Sequence, residues 1–450
     1  MAMTLGSSLL EKIENLCANY SSTAVLLFWT AVCAILVYYV SRPPSIYLLG
    51  FSAFKPGDER KCSYELSEYF TLRTERFDSE SVEFMLRIFL KSGIGDETYG
   101  PPFPFRDEEV ESLEAALDEA TEVMFGAVDA VFNETRLCGA DIDIVISACG
   151  MLSTAPSLTS MLINRYNMKE DVKCVDLVGM GCSSGVMAVH SAADLLRVYM
   201  KPSYALVVMT ENITLNTYYG NNKSMLVTNC IFREGCAAVI LSSRSRDRTL
   251  AKMELLLSLR THRGADDQSY EAAFQHEDEE GVVGISLKKD LIRVAGEGLR
   301  AHVSSLAPLV LPLSEQLKYL WSFLAVNVVK IESKLYVPDF SKAFEHVCLH
   351  TGGKAVLNEI ARSLQLSEYA MEPARMALHR FGNTSSSSVF YELAYFEAKE
   401  RIKKGDRVWM IAFGTGFKCC SIVWKALKDL EPSPTTNPWL DCIHRYPVKS

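Results

Sequence analysis

The sequence predicts an α/β protein of layered sheets and helices, held behind an N-terminal membrane anchor. Three observations carry that prediction. From about Ile142 onward, apolar runs of strand length alternate with helical patterns. Apolar residues make up 48% and charged residues 22% of the 450-residue chain, a balance that builds a core. Between Asn15 and Ser41 there is no charged residue at all.

The anchor comes first in the chain. SSTAVLLFWTAVCAILVYYV, Ser21 to Val40, is almost wholly apolar, and about twenty such residues span a hydrocarbon core of about 30 Å. A cleaved signal peptide would have a shorter apolar region, and VYYVSRPPS offers no small-x-small cleavage site. Lys12 stands before the span, while Arg42, Lys55, Arg60 and Lys61 follow it. Positive-inside bias then places the long C-terminal part in the cytosol. The thirteen cysteines fit that side of the membrane: their number is odd, and their spacing matches neither a zinc site nor a small disulfide framework. With a net charge of -9 and no Lys/Arg run, no nucleic-acid partner is expected.

Pro43-Pro44 ends the anchor, and Lys55 to Arg76 is a polar connection. An acidic amphipathic helix is expected from about Asp107, with Val110, Leu113, Ala116, Leu117 and Val123 on one stripe. IDIVISAC (Ile142–Cys149) reads as a buried strand, SLTSMLINRY as a helix, KCVDLV as a strand and Gly185–Tyr199 as a helix. YALVVMTE and CAAVILSS are further strands. AFEHVCLH is followed by Gly352-Gly353 and a helix to about Leu364, and RVWMIAFGTGF is a strand running into a glycine turn. The later elements repeat the earlier order without any residue-level repeat.

Cys182 is the first candidate for chemistry. In VDLVGMGCSSGVMAVHSAADLL it is fenced by Gly179, Gly181 and Gly185, which suggests a tight turn that something approaches closely. It follows a strand and begins a helix. The helix dipole contributes about 0.3–1 kcal/mol, less than the roughly 1.36 kcal/mol of one pKa unit. A thiol of ordinary pKa therefore needs a base or a cation beside it; without one, Cys182 is a small buried hydrophobe.

Eight histidines supply the possible partners. His346 and His350 in EHVCLHTGGKAV share one strand face with Cys348; a zinc site there lacks a fourth ligand at a familiar spacing. His379 and Asn383 fall in LHRFGNTSSSS, a turn entering a helix that could equally be an ordinary capped start. His262 in RTHRGADD could be a polar loop residue. Cysteine, histidine and asparagine together support either a papain-like hydrolase or a decarboxylating condensing enzyme. Spacing does not choose between them.

GMGCSSG, HTGG, HRFGNTSSSS and FGTGFKC, in that order, resemble the thiolase-type condensing enzymes, and within them the plant 3-ketoacyl-CoA synthases of very-long-chain fatty acid elongation. ENITLNTYYGNNKSMLVTNCIFREG, LRTHRGADD, LVLPLSEQL, YVPDF and CIHRYPVK extend the likeness from about Pro43 to Val448. The resemblance implies a duplicated αβαβα thiolase-like fold behind an N-terminal transmembrane helix. Its parts would be an anchor over 1–45 (span about 21–40), a first condensing-enzyme half over 46–330 carrying Cys182, and a second over 331–450 carrying His350 and Asn383.

By the same resemblance, Cys182 accepts a long-chain acyl group from acyl-CoA, and His350 with Asn383 decarboxylates malonyl-CoA. The product is a 3-ketoacyl-CoA two carbons longer. Gly414 to Gly416 would shape the site, with the N–H of Cys182 and one N–H of that turn as the oxyanion hole; His262, His346 and His379 would take supporting roles. No cofactor or metal is implied. A homodimer is, as are an endoplasmic-reticulum membrane and elongase partners: a ketoacyl-CoA reductase, a hydroxyacyl-CoA dehydratase and an enoyl-CoA reductase. A chain near twenty carbons prefers an apolar environment by roughly 16 kcal/mol, so its enzyme should dock at a membrane.

Departures from relatives at Ser147-Ala-Cys149-Gly, Cys236 and Cys419-Cys420 leave a second possibility, a weakly active subunit that scaffolds other elongase members. Leu306–Val329 carries an uncharged part, Tyr319–Val329, too short to span a membrane. A buried helix is its ordinary reading, and a surface helix that touches the bilayer or roofs an acyl tunnel is the sharper one.

Overall fold

A computed structural model describes residues 26–33, 43–105, 112–199, 201–328, 330 and 335–448. The chain divides into two compact units, Met1–Pro44 and Ser45–Ser450. In the first, residues 26–33 are helical, and the Thr30 hydroxyl donates to the Leu27 carbonyl at 2.9 Å. Most of the expected span over 21–40 lies outside the described residues, and among those described no helix is long and apolar enough to cross a membrane.

The second unit is built on nine strands: β1 (Tyr47–Ala53), β2 (Ile144–Cys149), β3 (Lys173–Leu177), β4 (Tyr204–Thr210), β5 (Cys236–Ser242), β6 (Met253–His262), β7 (His346–Leu349), β8 (Arg407–Gly414) and β9 (Lys418–Ala426). They form one sheet in the order β7-β8-β9-β6-β1-β5-β4-β2-β3. Its two parts join at β1 and β6 through only Tyr47↔Glu254 and Leu48↔Met253. On either side of that seam the topology repeats. β1-β5-β4 is antiparallel and β4-β2 parallel; β6-β9-β8 is antiparallel and β8-β7 parallel. The second set opens at Met253, earlier in the chain than a division at 330/331.

Helices complete the layers: α1 (Tyr64–Arg73), α2 (Ser79–Lys91), α3 (Leu113–Thr135), α4 (Leu158–Arg165), α5 (Ser184–Val198), α6 (Lys223–Ile231), α7 (Leu291–Val310), α8 (Leu313–Asn327), α9 (Lys354–Leu364), α10 (Glu368–Phe381) and α11 (Ser388–Ala398). The acidic helix expected from Asp107 starts at Leu113, where the Ser112 hydroxyl caps the Ala115 N–H at 3.1 Å; residues 106–111 lie outside the described residues.

Alternate strand residues face different layers, which is why these strands read as unbroken apolar runs. Ile144, Ile146, Val207 and Val239 pack inward on α5 and α11, together with Cys348, Met410 and Trp424 of the second set. Val145, Leu206, Val208 and Ile240 face outward onto α3 and α4. Val347, Trp409, Ile411 and Val423 face outward onto α7, α9 and α10. The stack is therefore α3/α4, sheet, α5/α11, sheet, α7/α9: five layers, αβαβα.

The reading of Leu306–Val329 as a buried helix is corrected. The segment breaks at Leu311-Pro312, and α8 carries its large apolar side chains on the surface. Apolar residues surround this helix in sequence, so spacing alone did not reveal which face packs.

Trp409 is fully buried, stacks on Phe344 with ring centroids 5.0 Å apart, and donates from Nε1 to the Ser421 hydroxyl at 2.8 Å. Trp409→Ala is expected to cost about 3–5 kcal/mol, read as an earlier midpoint in urea unfolding of the full chain.

Candidate active site

Two helix starts meet at the centre of the stack. The chain leaves β3, turns through Gly181–Ser183 and enters α5; in the second set it turns through Ser385–Ser387 and enters α11. Each helix then leads into the corresponding strand, β4 or β8. At Gly185, a Cβ would stand 2.0 Å from the Ser386 carbonyl oxygen, so only glycine lets the two starts touch. At Gly414, a Cβ would stand 2.2 Å from Ser183 Oγ and 2.3 Å from the Met180 carbonyl oxygen. The Thr415 hydroxyl donates to the Gly179 carbonyl at 3.1 Å, tying that loop to the cysteine turn. Of the fencing glycines, Gly185 is required by packing on a neighbouring backbone, whereas Gly179 at φ +69° and Gly181 at φ +57° are required by their left-handed backbone.

A cavity of about 610 Å³ opens at this junction, within the usual range for a small-molecule site. Cys182, His262, His350, Asn383, Gly414 and Gly416 all line it, as do Glu211 and Ser385. Apolar walls come from Ile213, Phe232, Phe274, Leu291, Phe413 and Phe417. Ala273–Glu277 and Val283–Leu287 form a hairpin that closes one side.

Burial sets the protonation states. The Cys182 thiol is pushed up to about 12 by desolvation; Ser385 pulls it back in part, and the charge of Glu211 adds to the rise. Desolvation lowers His350 to about 4 against a smaller opposing backbone hydrogen bond at Ser385, so its ring is neutral at pH 7. The ring is fixed by a 2.8 Å hydrogen bond between Nδ1 and the Ser388 hydroxyl at the first residue of α11. Asn383 Oδ1 accepts the Ser385 N–H at 2.9 Å, and its backbone bonds to Ile231 and Arg233, which fixes the turn. Burial also lowers His262, ahead of the nearby Lys418 charge; its Nδ1 accepts the Gly264 N–H at 2.9 Å.

His346 and His379 do not line the cavity. His346 starts β7, four residues from His350 and roughly 13 Å away along an extended strand; its Nε2 bonds Asp406 at 2.9 Å and its ring lies 4.8 Å from that of Phe396. His379 lies on α10 beside Tyr446, whose hydroxyl is 3.5 Å from its Nδ1, and packs against the C-terminal segment. Neither ring touches the cavity, because a strand or helix carries successive residues away from any one point. Among the described residues, no group of three or more His, Cys, Asp or Glu is placed to hold a metal.

Spacing in the sequence does not single out Glu211 or Ser385. Glu211 ends the β4 run; Ser385 Oγ stands 2.8 Å from its Oε2 and 3.5 Å from Cys182 Sγ. A hydroxyl has one proton, so Ser385 donates to one of them at a time. Glu211 also accepts from the Met151 N–H at 2.9 Å, and Cys149 Sγ lies 3.4 Å from its Oε1. Desolvation raises the Glu211 carboxyl. Ser385 has φ +54°, a left-handed conformation that aims its hydroxyl between the two groups. The signal available in sequence was only a polar residue ending a buried strand and a serine two places after Asn383. Cys149, Cys236, Cys419 and Cys420 are buried in the layers around the site, and every described cysteine is a free thiol.

Two substitutions are expected to move Cys182 in opposite directions. Ser385→Ala removes a donor and raises the thiol further, which slows iodoacetamide alkylation of Cys182 at pH 8; Glu211→Gln removes a negative charge and speeds it. Peptide-resolved alkylation rates read both.

Comparison with known proteins places this arrangement. A model of FAE1/type III polyketide synthase-like proteins matches residues 38–328, and one of the 3-oxoacyl-(acyl-carrier-protein) synthase III C terminal matches 341–426. The chain is 44% identical to 3-ketoacyl-CoA synthase 17 of Arabidopsis thaliana, covering 100% of this chain and 92% of that protein. It is 47% identical to 3-ketoacyl-CoA synthase 2 of the same plant, covering 94% and 81%. In fold it is similar to PKS-I from the brown alga Ectocarpus siliculosus (TM-score 0.67, 18% identity, 86% of this chain and 99% of that one). It is likewise similar to a type III pentaketide synthase from Neurospora crassa (TM-score 0.66, 18% identity, 85% and 99%). With a thiol, a neutral imidazole and an asparagine around one apolar cavity in a duplicated thiolase-like fold, the chain belongs to the 3-ketoacyl-CoA synthase family.

Proposed function

We propose that this condensing acyltransferase joins malonyl-CoA to a long- or very-long-chain acyl-CoA through an acyl thioester on Cys182. The single observation that carries the reading is the convergence of Cys182, His350 and Asn383 on one largely apolar cavity.

In the first step, Cys182 Sγ attacks the acyl-CoA carbonyl. The sulfur–acyl bond forms, the bond to CoA breaks, and the cysteine proton leaves with CoA as its thiol. With desolvation holding the Cys182 thiol well above its ordinary pKa, very little of it is thiolate at pH 7. The proton therefore departs as the bond forms, and the positive ends of α5 and α11 favour the charge that develops. The N–H of Cys182 and one N–H of the Gly414–Gly416 turn hold the carbonyl oxygen.

In the second step, the carbon–carbon bond of malonyl-CoA to its carboxylate breaks, and CO2 departs. Its electron pair passes into an enolate whose oxygen accepts hydrogen bonds from the neutral His350 ring and the Asn383 amide. The enolate carbon attacks the Cys182 thioester and releases the lengthened 3-ketoacyl-CoA. The cysteine sulfur then takes a proton from water. No cofactor enters this sequence, because decarboxylation supplies the nucleophile.

The reading extends to location. We assign Ser21–Val40 to a span of the endoplasmic-reticulum membrane with the catalytic unit in the cytosol, on the charge asymmetry around that stretch. We place a second copy of the chain on β3, which ends the sheet with Lys173 and Cys174 exposed; an open strand edge takes a partner readily. The reductase, dehydratase and second reductase of elongation would act next, on the 3-keto group this step creates.

Cys182→Ala is expected to abolish labelled 3-ketoacyl product from malonyl-CoA and acyl-CoAs of sixteen carbons upward, while the protein still sediments with microsomes. Wild-type product from that variant would sink the mechanism. A second expectation concerns pH. Because burial depresses His350 to about 4, the ring stays neutral as pH falls through 6.5. The condensation rate should then show no histidine-type acid limb between pH 7.5 and 5.5. A sharp loss centred near 6.5 would contradict the role given to His350.

A further inference from the structure

Helix α8 is built inside out. A helix on a water-soluble protein turns its apolar stripe inward, yet here the one fully buried residue is a glutamate. Glu315 is fully enclosed. Its carboxylate accepts from Lys342 Nζ and the Tyr336 hydroxyl at 2.6 Å each, from Lys318 Nζ at 3.0 Å and from the Asp339 N–H at 3.2 Å. One turn pair along, the Ser322 hydroxyl accepts the Tyr336 N–H at 2.9 Å.

The outward side carries Leu313, Leu317, Leu320, Trp321, Leu324 and Val328, each between 41% and 76% exposed. At 3.6 residues per turn these six fall within about 100° of arc, with no charged residue among them. So large a contiguous apolar stripe marks an interaction site.

We propose that this face of α8 lies in the head-group and upper acyl region of a lipid bilayer. Three observations select lipid as the occupant. The one fully buried side chain of the helix is a carboxylate while its largest apolar side chains point outward, as suits an apolar surrounding. Trp321, the most exposed of the six, is the residue type that settles at a membrane–water interface. The same chain carries twenty almost wholly apolar residues at Ser21–Val40, which would keep it beside a bilayer. The inward ion pairs then have a function: they hold Glu315 away from the lipid and fix the helix with its stripe outward.

This inference rests on the membrane location proposed above, and the two can fail separately. The test uses the full chain with Trp29→Phe, reconstituted in phosphatidylcholine–phosphatidylserine vesicles. Trp409, Trp424 and Trp439 are fully buried, which leaves Trp321 as the exposed tryptophan. Phosphatidylcholine brominated on its acyl chains should quench the emission, and adding Trp321→Phe should remove most of that quenching. Unchanged condensation by both variants would confirm that they are folded. Absence of quenching in a chain that resists alkaline carbonate extraction would overturn the docking face and leave the anchor intact. Release by carbonate would instead remove the anchor. A photocrosslinker at Leu320 that joined two copies of the chain, rather than labelling lipid, would assign the stripe to self-association and overturn the proposal.

Discussion

The contact between Gly185 and the Ser386 carbonyl is the constraint on which the site depends. A single added carbon at that glycine would stand 2.0 Å from the oxygen, and a separation of that size cannot be relieved by a side-chain rotation because its far side is backbone. The two central helices can begin at the same place only if one of them begins with a glycine in its first turn. Since each helix comes from a different set of strands, the cysteine turn and the asparagine turn reach each other only in the folded stack. The site has no existence in either set alone.

Competition between desolvation and local donors decides the electrostatics. A helix start offers about 0.3–1 kcal/mol to an anion, and here two starts face the sulfur along with Ser385. Burial nonetheless wins: the thiol rises to about 12, and the same burial lowers His350 to about 4. Cys182 and His350 are therefore both uncharged at neutral pH. The Ser385 proton, shared between Glu211 and Cys182, is the adjustable element, since ionisation of the carboxyl draws it away from the sulfur.

Strands buried on both faces were easy to read from sequence, because β2, β4, β5 and β8 are continuous apolar runs that no surface helix would tolerate. Cys182, His350 and Asn383 were legible through their glycine and serine contexts. The duplication was legible only as an order of elements. β6 departs from the pattern: MELLLSLRTH mixes apolar and polar residues, and half-exposed positions along it hide the start of the second set. His346 and His379 shared motifs with true lining residues but lie on elements that carry them off, which no linear spacing reports. Glu211 was hidden for the opposite reason, since a carboxylate at the end of an apolar strand looks like a surface terminus until the fold closes over it.

The high pKa of Cys182 has a consequence beyond condensation. Peroxides and other cellular oxidants react with thiolates, far more slowly with thiols. A sulfur that stays protonated at rest offers those oxidants little to attack. In the mechanism proposed above, the desolvation that makes acyl loading harder also shields the sulfur from sulfinic and sulfonic damage, so the lifetime of the site and the difficulty of its opening step have one physical origin.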